Sequence, residues 1–374
     1  MVTTRLASQA QNHFGNNITP ATAQKTRKAN SRIAAKQGRF RILVGGTSVP
    51  AGNGSNPAAS VTDVRKGSYP TRMAESFTRY GVPASWQSFF GNANQAGNLP
   101  TFDPRISLGA GWSYDGTRMT LGGYLLNSVN TNPLTLTPTQ AVRTFEIYSL
   151  FAPGAGTQTV AIGGSAPASG VPSIAQNATL AVNKSVASAA AASTSALTLT
   201  NTSTTITRTL GVIAVDDTSY GIDIVNAAIP GSLISDWAAN NGVFSPINMF
   251  SQVGADLFVL DVLTNTRNAG SDLTAGMTDL QTQVTAAKAA GLDVLLVLSP
   301  PSSSADIDAA TQIAYNNAAR ALAIQTGCMF ADLFSRWIDW ATGNTNGFFY
   351  DDKHLSNYGH ADAGDYLAKL IMSI

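Results

Sequence analysis

Continuous apolar runs that alternate with helical patterns dominate the C-terminal part of the chain. The runs "ADLFVLDVL" and "LDVLLVLSPP" each precede a polar loop and then a segment with helical periodicity. The same pattern occurs near the beginning, where "FRILVGG" precedes a helical pattern over residues 68–81. Apolar strands that alternate with helices are typical of a parallel sheet covered on both faces. The sequence therefore predicts a three-layer α/β fold around a parallel sheet. Further helices are expected near 274–290, 304–326 and 357–372.

A different pattern occupies residues 84–214. Short alternating segments such as "STTITRTLGVIAV" are separated by Gly, Pro and Asn, which is typical of antiparallel strands and turns. We expect an inserted β-rich domain here, sandwich-like or jelly-roll-like in form, between α/β segments at 39–83 and 215–374. Inside it, "NATLAVNKSVASAAAASTSALTLTNTSTT" is low in complexity and is expected to form loops, edge strands or a partly mobile segment.

Residues 1–38 form a basic arm, since no acidic residue occurs before Asp63. Within it, a helical pattern has Thr19 as its N-cap, Pro20 at the first helical position and Gly38 just past its end. We expect a solvated helix that lies on the body of the protein, or a segment that docks to a partner or a larger assembly. The whole chain has a formal net charge of +1, so we expect neither nucleic acid nor a membrane as a partner.

Charged residues make up 12% of the chain, against roughly 25% in ordinary soluble domains. Small and neutral polar residues take their place, which favours an extracellular or virion-associated protein. No apolar run follows the first basic residue as in a secretory signal, and no stretch reaches the roughly 20 apolar residues that span a bilayer. The single Cys328 excludes an internal disulfide and a Cys-rich zinc site, and we expect it to be buried.

Polar loops follow three of the expected strands. "GGTSVPAG" follows the first, "NAAIPGS" the second and "LTNTRN" the third, and the carboxyl ends of parallel strands meet at one edge of a sheet. Together with "DDKH" near the C-terminus, these loops supply a serine, a glycine amide, a carboxamide and an Asp/His pair. Acyl transfer from an ester needs a nucleophile, a base held by a carboxylate and donors for an oxyanion. The four motifs therefore match an ester-cleaving site.

With these motifs the chain resembles the SGNH (GDSL-type) hydrolase family, whose name refers to a Ser, a Gly, an Asn and a His in that order. The corresponding residues here are Ser48, Gly231, Asn265 and His354. The resemblance covers roughly residues 39–70 and 220–372. It implies a flavodoxin-like parallel sheet and a carboxylic ester hydrolase, and it leaves the insert unexplained.

The motifs depart from the family pattern at three positions. The first block has Thr47 where the family has Asp, so the carboxylate beside the serine is missing. The third block keeps Asn265 but has Thr266 where the family has a second acid, and it lacks the usual Gly. The last block, Asp-x-x-His, is present as Asp351 and His354.

The resemblance also implies the role of each residue. Ser48 would attack the ester carbonyl after giving its proton to His354, and Asp351 would fix the tautomer of that imidazole. The backbone amides of Ser48 and Gly231, together with the side-chain amide of Asn265, would bind the oxyanion.

Other acidic and histidine residues compete for these roles. Asp352 is adjacent to the turn, but the motif spacing favours Asp351 as the acid. We expect His360, which opens the last helix, to be a packing or capping residue rather than a second base, and we assign no role to His13. The spacing of these residues is poor for zinc and the serine set needs no metal, so we expect neither a metal nor a cofactor.

The catalytic motifs do not select a substrate, since related enzymes include lipases, thioesterases, arylesterases and polysaccharide deacetylases. Trp86 and Trp112 in the insert are candidates for stacking on sugar rings, although a tryptophan is more often part of a core. We expect an acylated carbohydrate or a small ester as substrate, with O-deacetylation of a polysaccharide favoured. Two alternatives stay open: a non-catalytic glycan-binding or phage-tail-like attachment protein on a decayed esterase scaffold, and a lipid or thioester hydrolase.

Overall fold

A computed structural model of the protein describes residues 16–92 and 99–374. The strands are β1 (Arg39–Gly46), β2 (Ala84–Ser85), β3 (Phe89–Phe90), β4 (Ile106–Leu108), β5 (Trp112–Thr120), β6 (Gly123–Ser128), β7 (Pro133–Leu136), β8 (Val142–Phe151), β9 (Thr157–Ile162), β10 (Ser169–Gly170), β11 (Ser173–Ala175), β12 (Ala181–Ser193), β13 (Leu197–Asn201), β14 (Thr207–Val215), β15 (Gly221–Asn226), β16 (Leu257–Asp261), β17 (Asp293–Leu298) and β18 (Met329–Asp332). The helices are α1 (Gln24–Ala34), α2 (Ser48–Ala51), α3 (Tyr69–Arg79), α4 (Leu99–Phe102), α5 (Ile234–Ala238), α6 (Pro246–Val253), α7 (Leu263–Asn268), α8 (Leu273–Ala289), α9 (Ala309–Thr326), α10 (Trp340–Thr345) and α11 (Asn357–Met372).

Six strands form a parallel sheet in the order β18-β17-β16-β1-β15-β2. Strand β1 lies between β15 and β16, with Val44 opposite Asn226 and Gly46 opposite Asp261. Because the three strands run in the same direction, the loops that follow them leave the sheet at one edge. Three of the four motifs are therefore neighbours in space.

Helices cover both faces of this sheet, as the apolar residues on both sides of β1 require. Phe40 and Ile42 pack into one core with residues of α1, α3 and α11. Leu43 packs into the other core with residues of α5, α6, α8 and α9. The three-layer α/β fold predicted from the sequence is confirmed.

Two antiparallel sheets lie between β2 and β15 in the chain. The larger sheet has the order β10-β12-β8-β14-β6-β5 with β3 paired to β14, and the smaller has the order β11-β9-β13-β7-β4. Phe145 and Leu199 belong to the core that the two sheets share. Tyr148 and Ile213 of the larger sheet belong instead to a core of the α/β part. The expected inserted β domain is present, and one of its sheets packs against the α/β part.

The insert differs in detail from the sequence pattern. The two-residue strand β2 lies within residues 84–214, yet it pairs in parallel with β15 at the edge of the main sheet. The low-complexity stretch forms the long strand β12, which pairs with β8, and the strand β13, which pairs with β7 and β9. Small residues in this stretch therefore build regular sheet.

Helix α1 begins later than the pattern in the basic segment indicates. The amide of Thr22 donates to Oγ1 of Thr19 (3.1 Å), and Oγ1 of Thr22 donates to the backbone oxygen of Asn17 (2.7 Å). These bonds form a turn that competes with the first helical turn. The helix lies on the body through the buried residues Ala29 and Ile33.

Two further segments depart from expectation. The segment "LTNTRN", predicted as a loop, forms α7. Helix α9 begins at Ala309 rather than near 304, because the side chain of Asp308 accepts the amide of Thr311 and caps the helix there. None of the helices within residues 16–92 and 99–374 is long and apolar enough to cross a bilayer.

Candidate active site

Ser48 stands at the turn between β1 and α2. Gly46 has a φ of 150°, and a Cβ added there would lie 2.1 Å from the backbone oxygen of Asp261, so glycine is required. The amide of Thr47 donates to the same oxygen at 3.1 Å. The close approach of β1 and β16 therefore fixes the backbone that presents Ser48. The Ser48 residue itself is 5% exposed.

The side chains of Ser48, His354 and Asp351 form a continuous hydrogen-bonded chain. Nε2 of His354 lies 2.8 Å from Oγ of Ser48, although the two residues are 306 positions apart. Nδ1 of His354 lies 2.7 Å from Oδ2 of Asp351. When Nδ1 carries the proton and donates to the carboxylate, Nε2 accepts from the serine hydroxyl. The arrangement allows His354 to take the serine proton.

Asp351 is held by the turn that carries it. Its Oδ1 accepts the backbone amides of Lys353 (2.9 Å) and His354 (2.7 Å). Partial burial raises the pKa of Asp351, but the hydrogen bonds from the His354 ring and from the two amides outweigh it and hold the pKa at about 2. Asp351 is therefore a carboxylate at any pH near neutrality.

Asp352 lies outside this hydrogen-bonded chain. It is exposed, and its backbone oxygen accepts the amide of Ser303 at 2.7 Å. The structure thus pairs His354 with Asp351, the residue that the motif spacing favours.

Gly54 makes room for the turn and was not identified from the sequence. Its φ is 84°, and an added Cβ would lie 2.5 Å from the backbone oxygen of Leu355 and 3.2 Å from Cβ of His354. A side chain at this position would push the imidazole away from Ser48. The surrounding "GNGS" marks a turn, but nothing local shows which residue it must accommodate.

The three predicted oxyanion donors lie on the segments that follow β1, β15 and β16, which are neighbouring strands of the sheet. Gly231 is exposed, and among the hydrogen bonds of the described residues neither its amide nor that of Ser48 is a donor. Nδ2 of Asn265 donates to the backbone oxygen of Ser232 at 3.0 Å. This bond orients the carboxamide and uses one of its two N–H groups, which leaves the second for a ligand.

Hydrogen bonds join the loop that contains Gly231 to the turn that carries Ser48. The amide of Ile229 donates to the backbone oxygen of Gly46 at 2.8 Å. Nδ2 of Asn226 donates to the backbone oxygen of Pro50, also at 2.8 Å. Asn226 precedes Gly231 by five positions, and its bond to Pro50 gives it a structural role in joining the two segments.

The departures from the family pattern leave the Ser-His-Asp chain complete. Oγ1 of Thr266 accepts the amide of Ile234 at 2.7 Å, which ties α7 to the start of α5. Thr47 is fully buried, and its hydroxyl has no hydrogen-bond partner in the part of the chain that the structure describes. Neither threonine takes part in the hydrogen bonds of His354.

A buried acidic group lies beside the turn that carries Ser48, and the sequence did not predict it. The carboxyl of Asp261 accepts hydrogen bonds from Oη of Tyr69 (3.2 Å) and from Oγ of Ser299. Burial raises the pKa of Asp261 to about 6, even though both hydroxyl bonds oppose the shift. Asp261 ends β16 directly beside Gly46, so this group supports the backbone that presents Ser48.

Arg267 is a second buried charge near the site. Its Nη2 donates to the backbone oxygen of Pro300 (2.9 Å) and to Oγ of Ser302 (2.8 Å). Burial lowers its pKa to about 10, which still leaves a cation at neutral pH. These bonds join α7, which carries Asn265, to the loop after β17.

His360 is buried, and neither of its ring nitrogens is hydrogen-bonded to Ser48. Its Nδ1 accepts the amide of Tyr69 (3.2 Å), and its Nε2 lies 3.1 Å from the backbone oxygen of Asn53. Burial lowers the pKa of His360 to about 3, so a neutral ring accepts at Nδ1 and donates from Nε2. It caps the first amide of α3, which agrees with the expected packing or capping role.

The two tryptophans proposed for sugar binding have different surroundings. Trp86 is partly buried, with the guanidinium of Arg105 at 4.1 Å from its ring centroid, and it lines a cleft of about 630 Å³ together with Asp103. Trp112 packs against the core of the insert, and its Nε1 donates to the backbone oxygen of Asn132 at 2.8 Å. Trp86 therefore has an adjoining cleft, while the Trp112 indole is tied to the insert.

The remaining candidates from the sequence are His13, Cys328 and a metal site. His13 lies outside the described residues. Cys328 is free and buried, as expected. Across residues 16–92 and 99–374, no group of three or more His, Cys, Asp or Glu side chains is arranged to hold a metal ion.

Neither a protein-family model nor a curated protein matches the sequence. Among solved structures, a peptidoglycan O-acetylesterase aligns with a TM-score of 0.72 over 94% of this chain and 96% of that chain, at 16% identity. The chain has an SGNH-type fold with an inserted β domain.

Other structures align with this SGNH-type fold less well. A family two carbohydrate esterase from Cellvibrio japonicus has a TM-score of 0.31 and 10% identity, over 77% of this chain and 98% of that chain. An acetyl xylan esterase has a TM-score of 0.33 and 18% identity, over 39% of this chain and 79% of that chain. At 16% identity, the likeness to the peptidoglycan O-acetylesterase is one of fold, and that fold is the one expected from the four motifs.

Proposed function

We propose that the protein is a serine esterase that hydrolyses carboxylic esters, with O-acetyl groups on a polysaccharide as its substrate. The observation that carries this proposal is the hydrogen-bonded chain from Asp351 through His354 to Ser48, with distances of 2.7 and 2.8 Å. A serine hydroxyl bonded to an imidazole that is in turn bonded to a carboxylate is the arrangement that activates a serine nucleophile.

Two acyl transfers complete the proposed reaction. Oγ of Ser48 bonds to the ester carbonyl carbon while its proton passes to Nε2 of His354, and the negative oxygen is held by the amides of Ser48 and Gly231 and by Nδ2 of Asn265. The carbon–oxygen bond to the alcohol then breaks, and Nε2 returns the proton to the leaving alcohol. A water molecule repeats the sequence on the acyl-serine, which releases the carboxylic acid and restores the hydroxyl.

Two observations support a polysaccharide acetate as the substrate. The solved structure with the same fold over almost its whole length, including the insert, is that of a peptidoglycan O-acetylesterase. In addition, the cleft beside Trp86 contains an aromatic ring and charged groups, which suits a polar ligand with apolar ring faces.

The basic segment that contains α1 is a candidate docking site for a partner.

Acetate release by the wild-type protein and by Ser48→Ala tests the proposal. We would measure release from 4-nitrophenyl acetate, acetylated xylan and O-acetylated peptidoglycan. Ser48→Ala should abolish release without loss of folding, because the loop accommodates a smaller side chain, and a fluorophosphonate probe should label Ser48 alone. Release that persists above a few per cent in a pure preparation would remove Ser48 as the nucleophile. A folded wild-type protein that binds glycans but releases no acetate would favour the non-catalytic alternative.

A further inference from the structure

A second cleft adjoins the turn that carries Asp351. Its volume is about 310 Å³, and its walls come from the loop after β17, from helix α9, and from the segment after β18 together with the start of α10. Its principal lining residues are Pro301, Ser304, Ile313, Phe334, Ile338 and Trp340. Strands β17 and β18 belong to the same parallel sheet as β1, so the loops that follow them leave at the same edge as the Ser48 loop.

The indole of Trp340 connects this cleft to the catalytic acid. Its Nε1 donates to the backbone oxygen of Asp351 at 3.1 Å. Its ring centroid lies 6.3 Å from that of Phe349, which pairs with Leu355 across the turn that holds the Asp351–His354 pair. The hydrogen bond and the ring contact together fix the position of the indole. A ligand that packs on this ring would lie next to the catalytic turn.

Ile338 has a backbone conformation that is unfavourable for a β-branched residue. Its φ is 70°, and its side chain is 75% exposed. The amide of Asp339 donates to the backbone oxygen of Trp337 at 2.8 Å, so Ile338 is the central residue of a three-residue turn of the strained type. A β-branched residue with positive φ is rare, and such strain is concentrated at functional sites. The turn exposes an apolar side chain at the cleft.

The chemistry of His354 determines which half of an ester can reach this cleft. In the proposed reaction Nε2 of His354 must protonate the leaving oxygen, so the alcohol half lies on the side of the His354–Asp351 pair. The indole of Trp340, which lines the cleft, donates a hydrogen bond to the backbone oxygen of Asp351 in that pair. The cleft is therefore on the alcohol side of the site.

We propose that the cleft between Ile338, Trp340 and Ile313 binds a sugar ring of the alcohol half of the substrate, next to the ester that is cleaved. Aromatic and aliphatic side chains pack against the C–H faces of a sugar, and the exposed Ser304 and Asp339 at the rim offer polar partners for its hydroxyl groups. The inference rests on the proposed esterase function, since it assigns a subsite to that reaction.

The test compares three esters that change one half of the substrate at a time. Ethyl acetate is the reference, xylose tetraacetate keeps the acyl group and changes the alcohol to a sugar, and ethyl octanoate keeps the alcohol and lengthens the acyl group. The variants are Ile338→Ala, which removes an apolar wall, and Ser304→Trp, which fills the cleft. Ile324→Ala is the matched control, because Ile324 is 58% exposed in the last turn of α9 and does not line the cleft.

Both cleft variants should raise KM for xylose tetraacetate by roughly 5- to 10-fold, the effect of losing a modest apolar contact. Their kcat on that ester should change less than two-fold, and both constants for ethyl acetate should remain like those of the control. Equal values for all variants on xylose tetraacetate would overturn the subsite while leaving the esterase intact. A change confined to ethyl octanoate would show that the cleft takes the acyl chain and would also overturn the proposal. If the wild type cleaves none of the esters, the proposed function fails and the subsite fails with it.

Ile338→Gly separates binding from a purely structural role. Glycine relieves the strain at positive φ, so the variant should have a slightly higher Tm than the wild type together with a higher KM for xylose tetraacetate. A lower Tm with an unchanged KM would mean that Ile338 serves stability alone.

Discussion

Nδ1 of His354 and Oδ2 of Asp351 lie 2.7 Å apart within a turn in which the two residues are separated by three positions. In the same turn, Oδ1 of Asp351 accepts a hydrogen bond from the backbone amide of His354 at 2.7 Å. The acid is therefore bound to its histidine through both the ring and the main chain. Formation of the acid–base pair depends on local backbone geometry, whereas its approach to Ser48 depends on the whole fold.

Asp351→Asn should reduce kcat by roughly 10²–10⁴, because the amide no longer stabilises the imidazolium and favours the wrong tautomer. Asp352→Asn is the matched control, since Asp352 is exposed and outside the hydrogen-bonded chain. Rates on 4-nitrophenyl acetate would compare the two variants. A larger loss of kcat in Asp352→Asn than in Asp351→Asn would assign the acid to Asp352.

The pH profile of the wild type gives a second check. With its pKa held at about 2, Asp351 stays ionised above about pH 4, so loss of activity between pH 5 and 7 would come from another group.

Asn265→Ala should lower kcat by roughly 10²–10³, the usual effect of losing one oxyanion donor, with little change in KM. The carboxamide bonds to the backbone oxygen of Ser232, so the loop that carries Gly231 also loses one tie. Steady-state rates on 4-nitrophenyl acetate would separate kcat from KM. A loss expressed wholly in KM would make Asn265 a ground-state binding residue instead.

Asp261→Asn should change how folding stability depends on pH. Burial raises the pKa of Asp261 to about 6, from 3.8, so between those pH values the folded protein binds a proton that the unfolded chain has released. Stability attributable to Asp261 is therefore full below about pH 4 and falls by about 3 kcal/mol as the pH rises through about 6. Urea unfolding of both proteins at pH 4 and pH 7 would measure this dependence. From pH 4 to pH 7 the free energy of unfolding of the wild type should fall relative to that of the variant. A difference that does not vary with pH would contradict the assigned pKa.

Trp86→Ala should lower kcat/KM for acetylated xylan while ethyl acetate hydrolysis stays within a few-fold, because remote contacts assist only substrates long enough to make them. Trp112→Ala provides the comparison, because the Trp112 indole is hydrogen-bonded within the insert and does not line the cleft beside Trp86. Point variants are preferable to removal of the insert, because Leu210 and Ile213 of β14 belong to the α/β core. Parallel losses on both substrates would mark Trp86 as a support for the fold.

The sequence identified the parts of the site that depend on short spacing or on strand ends. The Asp-x-x-His turn, the polar segments after β1, β15 and β16, and the three-layer sheet all follow from local patterns, although the segment after β16 is helical rather than a loop. The buried group around Asp261 could not be found in this way, since Tyr69 lies 192 positions away and Ser299 lies 38 away. The role of Thr266 was hidden for the same reason, because its partner Ile234 is 32 positions earlier. The late start of α1 depended on two threonine side chains whose bonds to the main chain compete with a helical pattern.

The position of β1 in the parallel sheet has a consequence for synthesis on the ribosome. Its two partners, β15 and β16, are both made after the whole insert, so the nascent chain carries β1 with two unpaired edges while the antiparallel strands emerge. Unpaired strand edges favour association between chains. Sheet assembly must therefore wait for residues 221–261, and a translational pause before them would prolong the exposure of the strand that leads to the nucleophile.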